Sequence, residues 1–515
     1  MSAPQEGPTL ASIALVALRG RGPHTAFSWD GGEASGHAVL DLVGRYQHVY
    51  QRHGLRPGDR VGFLSSNRLS AWCAAIAAQA SGMAVTWLQG LASVADHLYQ
   101  LRDAEVAAVV VDHVDHAARA EQFVAELGGD VTVFVTGPAP AGIDLASQAE
   151  QVGASTPVDL STPALAALLN YTGGTSGRPK GVLRSNRAAA VMHTSAVLAG
   201  FEFPRAPRHL AVAPYTHVGG TKLLPVLLRG GSVHLMTRFD PAEVLATVER
   251  ERISTMLAVP TMIYALLGSD RLDATDLSSL ELVLYGASPM SPARLAEAVE
   301  RMGPVFSQLY GQTECYPITA LHRSDHTPEL ATSCGAAVPT AQVRLLDADD
   351  REVAVGEAGE ICVRSPSAMD GYWRNPELTA AAIRDGWVRT GDIARADERG
   401  FLFIADRKND MIITGGFNVY PREVEDALTA HAGVAEASVF GVPDERWGEA
   451  VVAVVVRRAG HDTDDAELTA HVRGLKGPLQ APKRIVFADD LPKTAVGKVD
   501  RKLLRTRTIN SEETR

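Results

Sequence analysis

Short apolar runs rich in β-branched residues recur along the chain, separated by longer stretches in which apolar residues return every three or four positions. "DRVGFLSS", after the turn "RPG", reads as a strand, and "RLSAWCAAIAAQASG" reads as a helix ending near Gly82. "AEVAAVVVD" has the composition of a buried strand. Further on, "STMLAVP" predicts a strand that runs into a helix with Pro260 in its first turn, where a missing N–H costs nothing. "ELVLYG" predicts another strand. Ser291 and Pro292 then cap and open the helix "ARLAEAVERMG", which stops at Gly303. "VFSQLYG" follows as a strand. Strand alternating with helix predicts an α/β protein whose parallel-rich sheets carry helices on both faces. In such sheets ligands collect where strand ends meet loops.

The pattern changes after about residue 335. "AQVRLLDADDREVAVGEAGEICVRS" alternates with a period of two between turn residues and predicts a β section of more antiparallel character. "DRKNDMIITGGFNVYPREVEDAL" predicts a strand, a glycine turn and a helix, and the remaining hundred or so residues alternate again, enough for a small α+β domain. The boundary is expected within Asp406–Asp410, giving a large domain over residues 1–408 and a small mobile one over 409–515. No repeat or low-complexity tract interrupts the pattern. The polar tail "RTINSEETR" reads as disordered.

Length and composition agree with this division. A chain of 515 residues exceeds the size at which one core keeps growing, so more than one domain is expected. Apolar residues make up 46% and charged residues 21%, ordinary for a globular protein. The net charge of −11 argues against nucleic acid as a partner, which needs a basic surface. No apolar run reaches the roughly 18–20 residues that span a bilayer. The N-terminal apolar segment is short and has no basic region before it, so no signal peptide is read. The four cysteines show neither C-x-x-C nor metal-site spacing. A reduced, cytoplasmic setting is expected.

Candidate chemistry begins at "NYTGGTSGRPKG". Gly173, Gly174 and Gly177 let successive N–H groups turn toward one anion. Thr172, Thr175 and Ser176 add hydroxyl donors, and Arg178 and Lys180 add charge. A Walker A loop would end in Gly-Lys-Ser/Thr, whereas here Pro179 precedes Lys180 and Gly181 follows it.

This stretch resembles the phosphate-binding signature of the adenylate-forming superfamily, which includes acyl-CoA synthetases, peptide-synthetase adenylation domains and beetle luciferases. The likeness runs from "RPGDRVGFL" to "LPKTAVGKVDRKLLR", with several motifs in the family's order. It implies that "QLYGQTE" holds the nucleotide and magnesium: Tyr310 on adenine, Gly311 beside it, Thr313 at the α-phosphate and Glu314 on Mg²⁺. It implies that "YGASPM" lines the adenine and acyl pocket through Gly286, Ala287 and Ser288. Asp392 and Arg407 are implied at the ribose hydroxyls, which a carboxylate can accept in pairs. His217 in "PYTHVGG" is implied beside the acyl carboxylate. Thr216, His217, Val218 and Gly219 include no acid to pair an α-ammonium, so an α-amino acid substrate is disfavoured. Lys498 resembles the family's C-terminal catalytic lysine, and a mobile ammonium there would offset the repulsion between a carboxylate and the ATP α-phosphate. Gly415 and Gly416 would let the backbone approach the pantetheine thiol.

The sequence departs from the family pattern at the hinge, Asn409, where Asp or Lys is usual, and at Gly173, where many members have Ser. The resemblance implies an ATP-, Mg²⁺- and coenzyme A-dependent ligase acting on a small carboxylic acid. Loading of a carrier protein, or the thioester step alone on a supplied acyl-adenylate, remain alternatives. A non-enzymatic acyl-AMP binder is disfavoured by the retained catalytic set. Both a monomer and a homodimer stay open. His217, Val218, Gly219, Gly220, Tyr264, Tyr285, Ala287, Cys315 and Tyr316 are expected to border the acid, and small glycines beside tyrosines suit a medium or ring-containing one.

Overall fold

A computed structural model describes residues 7–172, 179–215, 217–288, 290–407, 410–414, 417–444, 448–494 and 499–513. The expected α/β plan is present, with a large sheet-rich N-terminal domain and a small C-terminal one. One sheet of nine strands runs Ala336–Ala337, Cys315–Leu321, Phe306–Gln312, Leu282–Gly286, Thr255–Ala258, Arg208–Ala211, Ser232–Leu235, Thr25–Trp29, Gly32–Ser35. Its central pairings are parallel and its edge pairings antiparallel. A second sheet of eight strands runs Gly371–Tyr372, Lys180–Ser185, Ala166–Thr172, Ala84–Trp87, Arg60–Leu64, Ala108–Val111, Thr132–Val135, Ile143–Asp144. Its central strands read as unbroken apolar runs because helices cover both faces: all of Ala108–Val111 is buried.

The largest core joins the two sheets to the helices Leu10–Arg21, Gly36–Arg52 and Leu69–Ala80. A separate core fills the other face of the nine-stranded sheet, under the helices Pro241–Arg250, Pro260–Leu267 and Pro292–Met302. The period of two divides each strand between these cores. Along Leu282–Gly286, Leu282 and Leu284 enter the first, and Val283 and Tyr285 enter the second.

The β section is a five-stranded sheet, antiparallel throughout, built from Gln342–Leu346, Gly359–Arg364, Trp387–Ala396, Ile383–Arg384 and Leu402–Arg407. The C-terminal domain has its own five-stranded sheet centred on Gly448–Arg457, with the helices Pro421–Thr429 and Asp465–Lys476 packed on its core.

Two local expectations are corrected. The tail is not disordered over its length: the helix Arg501–Glu513 includes most of it, and Ile509 packs against a small apolar cluster that holds Phe440, Leu491 and, earlier in the helix, Leu504. Ser291 precedes the helix Pro292–Met302 but makes no side-chain cap; its N–H donates instead to the Tyr264 hydroxyl at 2.9 Å. Among the described residues no helix is long and apolar enough to cross a membrane.

Candidate active site

The glycine-rich stretch leaves the strand Ala166–Thr172 and returns as Lys180–Ser185, with Thr172 paired opposite Lys180. Gly173, Gly174, Thr175, Ser176, Gly177 and Arg178 lie outside the described residues, as do Thr216, Asn409, Gly415, Gly416 and Lys498.

From this hairpin the site is built by contacts that are remote in sequence. The Lys180 ammonium lies 5.8 Å from the centroid of the Tyr372 ring. The Tyr372 hydroxyl donates to Glu314 Oε1 at 2.8 Å, and burial together with that carboxylate pushes the phenol's pKa up. The Glu314 carbonyl accepts from the Met369 N–H at 2.7 Å, which fixes the backbone at "QLYGQTE". Arg184, 1% exposed, donates from Nη2 to the Thr313 carbonyl at 2.7 Å and from Nε to the Ser367 carbonyl at 3.0 Å. Burial lowers its pKa from the ordinary guanidinium value. This one side chain ties the phosphate hairpin, the QTE segment and the β section together.

The predicted ribose and adenine residues also meet. Asp392 is buried on Trp387–Ala396, and its Oδ2 accepts from the Tyr310 hydroxyl and from Gln312 Nε2, each at 2.6 Å. Burial raises the Tyr310 pKa well above the usual phenol value, and Asp392 adds to the effect. Arg407 stands opposite Asp392 in the strand register. Gly286 ends its strand against Leu309, and a Cβ there would sit 2.3 Å from the Leu309 carbonyl oxygen, so only glycine fits. Ala287 holds a left-handed backbone (φ +67°) at the exposed turn that follows, and Ser288 is half-buried beside it. Gly311 has the Cys315 carbonyl and the Tyr316 ring close against its Cα.

His217 is exposed and opens the 3₁₀ turn Val218–Lys222. Gly219 and Gly220 pack so tightly on the Ala213 and Tyr215 carbonyls that a Cβ would lie 2.6 and 2.8 Å from them. Cys315 and Tyr316 are buried on the adjoining strand, and burial pushes the Cys315 thiol up to about 11.

The expected acid-bordering set is not one cluster. Val218 and Tyr316 belong to the core between the two large sheets, whereas Tyr264 and Tyr285 belong to the core on the opposite face of the nine-stranded sheet. Strand alternation sends Tyr285 away from the side that Tyr316 occupies, and its hydroxyl contacts Gln308 at 3.3 Å and His326 at 3.1 Å. Tyr264 is held by Ser291 and by the Arg294 guanidinium, 5.2 Å above its ring. Arg184 and Tyr372 were missed because they act through partners far away in sequence. Only the position of Arg184 in a strand, beside Val182 and Leu183, pointed to burial.

The sequence model for AMP-binding enzymes matches residues 16–373. The chain belongs to the AMP-binding enzyme family. The model for the C-terminal domain of AMP-binding enzymes matches residues 423–498. The medium/long-chain-fatty-acid–CoA ligase FadD8 of Mycobacterium tuberculosis is 42% identical over 488 residues, 92% of this chain and 85% of that protein. A feruloyl-CoA synthase of Amycolatopsis is 37% identical over 481 residues, 93% of this chain and 94% of that protein. The structure of the amide bond synthetase McbA from Marinactinospora thermotolerans superposes with a TM-score of 0.90 at 35% identity, covering 96% of this chain and 99% of that one.

Proposed function

We propose that this chain is an AMP-forming acid–CoA ligase. A carboxylate oxygen attacks the α-phosphorus of ATP, the bond to the bridging oxygen breaks, and pyrophosphate leaves. The CoA thiolate then attacks the acyl carbon of the adenylate, and AMP leaves as the thioester forms. The observation that carries this reading is the convergence of Lys180, Tyr372 and Glu314 beside the Tyr310–Asp392 pair, in a chain whose relatives over nearly its full length are CoA ligases.

In this reading Lys180 and the glycine-rich loop hold the departing phosphates, and Asp392 with Arg407 orients the ribose. His217 borders the acyl carboxylate. Mg²⁺ fits the donor set. Glu314 offers a carboxylate, and among the described residues no group of three or more His, Cys, Asp or Glu side chains gathers to form an all-protein cage. Magnesium characteristically takes one or two carboxylates, with water and substrate phosphates filling its other positions. When bound it would neutralise phosphate charge; Glu314 would hold it, and Tyr372 restrains that carboxylate through its hydrogen bond to Oε1. Lys498 stabilises charge in the first half-reaction, and Gly415 with Gly416 admits the thiol in the second. The domains exchange these roles about a hinge at Asn409, between residues 1–408 and 409–515.

A panel of carboxylic acids assayed for CoA- and ATP-dependent AMP release tests the reading. Lys498→Ala is expected to abolish adenylation and to spare thioester formation from supplied acyl-AMP; survival of both steps refutes its role. The likeness to an amide bond synthetase supports a second reading in which an amine replaces the thiol. Product formation that needs an amine and ignores CoA would select it. Dependence on a carrier protein would select the adenylation-module alternative.

A further inference from the structure

Lys222 is 0% exposed, at the end of the turn that His217 opens. Its ammonium donates to Thr221 Oγ1 at 2.6 Å and to the Tyr316 hydroxyl, and it lies 4.7 Å from the centroid of that ring. No carboxylate among the described residues pairs with it, and burial holds its pKa well below the ordinary lysine value. Burying an ammonium without a counter-ion costs several kcal/mol even after relaxation and water penetration. A methionine of similar length would fill the same space without that cost.

A second group beside it is also unsatisfied. His193 stands on the π-helical turn Met192–Ala196, and its Nδ1 is buried with no hydrogen-bond partner. Burial, then Lys222 and Arg184, push its pKa down to about 3. The turn packs on both Val218–Lys222 and the strand Cys315–Leu321 that carries Tyr316. Such single π turns inside helices are frequent at functional sites. Lys222 and His193 thus converge here with no acid among the groups that act on either. An ammonium without a counter-ion calls for an anionic oxygen acceptor, to which a neutral His193 would also donate in its Nδ1–H tautomer.

The reacting carboxylate is assigned to His217 in the ligase reading, and this inference rests on that reading. An alkyl chain extending from it would leave Lys222 uncompensated. We propose that Lys222, Tyr316 and His193 form an anion-receiving pole of the acyl pocket, and that the acid this enzyme activates carries a second carboxylate distal to the one adenylated. Lys222 is then the specificity-determining residue.

The test pairs α,ω-dicarboxylates from succinate to sebacate with monocarboxylates of equal length. Turnover is read as kcat/KM for AMP release, and binding by calorimetric titration. Wild type is expected to favour the best dicarboxylate at least tenfold over its monocarboxylate. Lys222→Met should invert that order and keep or raise the melting temperature. Tyr316→Phe, which removes only a hydroxyl, should reduce the preference severalfold and serves if Lys222→Met fails to fold. Wild-type preference for monocarboxylates overturns the proposal, and so does an equal loss for both acids in Lys222→Met. If no acid gives AMP, the ligase reading falls, and titration still decides: a dicarboxylate that binds wild type but not Lys222→Met sustains the pole. Equal binding of both acids by wild type removes it.

Discussion

Replacing Arg184 by methionine isolates the contact that joins the glycine-rich hairpin to the "QTE" segment. The side chain is 1% exposed and donates to two carbonyls, of Thr313 at 2.7 Å and Ser367 at 3.0 Å. Methionine keeps an unbranched stem and removes both donors. A buried carbonyl left unpaired costs about 1–3 kcal/mol, so the pair costs roughly 2–6 kcal/mol. Removing a buried guanidinium returns part of this, because its desolvation was unfavourable. A net loss of about 2 kcal/mol corresponds to roughly a 30-fold larger unfolded-to-folded ratio. Pulse proteolysis in urea reads that ratio directly and does not require the whole chain to unfold in one step. Because Thr313 and Glu314 follow the displaced hairpin, kcat with saturating acid should also fall by roughly tenfold or more. Arg184→Lys should recover little, since its single nitrogen lacks the spacing by which Nε and Nη2 of the planar fork reach Ser367 and Thr313 separately. A change of less than about threefold in the cleavable fraction, with kcat intact, would refute the reasoning.

Three further outcomes follow from the same geometry. Tyr372→Phe removes the donor to Glu314 and leaves the ring under Lys180, so the Mg²⁺ concentration giving half-maximal AMP release should rise about fivefold, and an unchanged titration would dissociate Tyr372 from the metal site. Neighbouring substitutions at the adenine turn should have opposite signs in thermal melting: Gly286→Ala destabilises by about 1–3 kcal/mol through its clash with Leu309, and Ala287→Gly stabilises by about 1 kcal/mol by relieving a left-handed backbone. All four cysteines are buried, and burial raises Cys315 to about 11 and Cys334 to about 12; iodoacetamide at pH 8 should label none until denaturant is added, and rapid labelling of either would contradict that packing.

The order of strands and helices was legible in the sequence because it depends on local periodicity. Parallel strands covered on both faces must be apolar throughout, and Ala108–Val111 inside "AEVAAVVVD" is. The family was legible because its motifs are local too: each loop must carry its own glycines, hydroxyls and charges whatever lies across from it. The helical tail was not legible because its polar composition hides Ile509, which packs against Phe440 and Leu491 elsewhere in the chain.

Packing across elements decided the rest. The sequence by itself determined an α/β ligase of the AMP-binding kind and pointed to Glu314, Tyr310 and Asp392 as candidate site residues. Tertiary structure alone put Tyr372 on Glu314, 58 residues away, and Arg184 on Thr313, 129 residues away. It also split the expected acid-bordering tyrosines between opposite faces of one sheet, and it buried Lys222 without a described acid beside it. A residue's type and its near neighbours fix its propensity and its chemistry. Whether its charge is paired depends on which distant strand folds over it, and no local pattern encodes that.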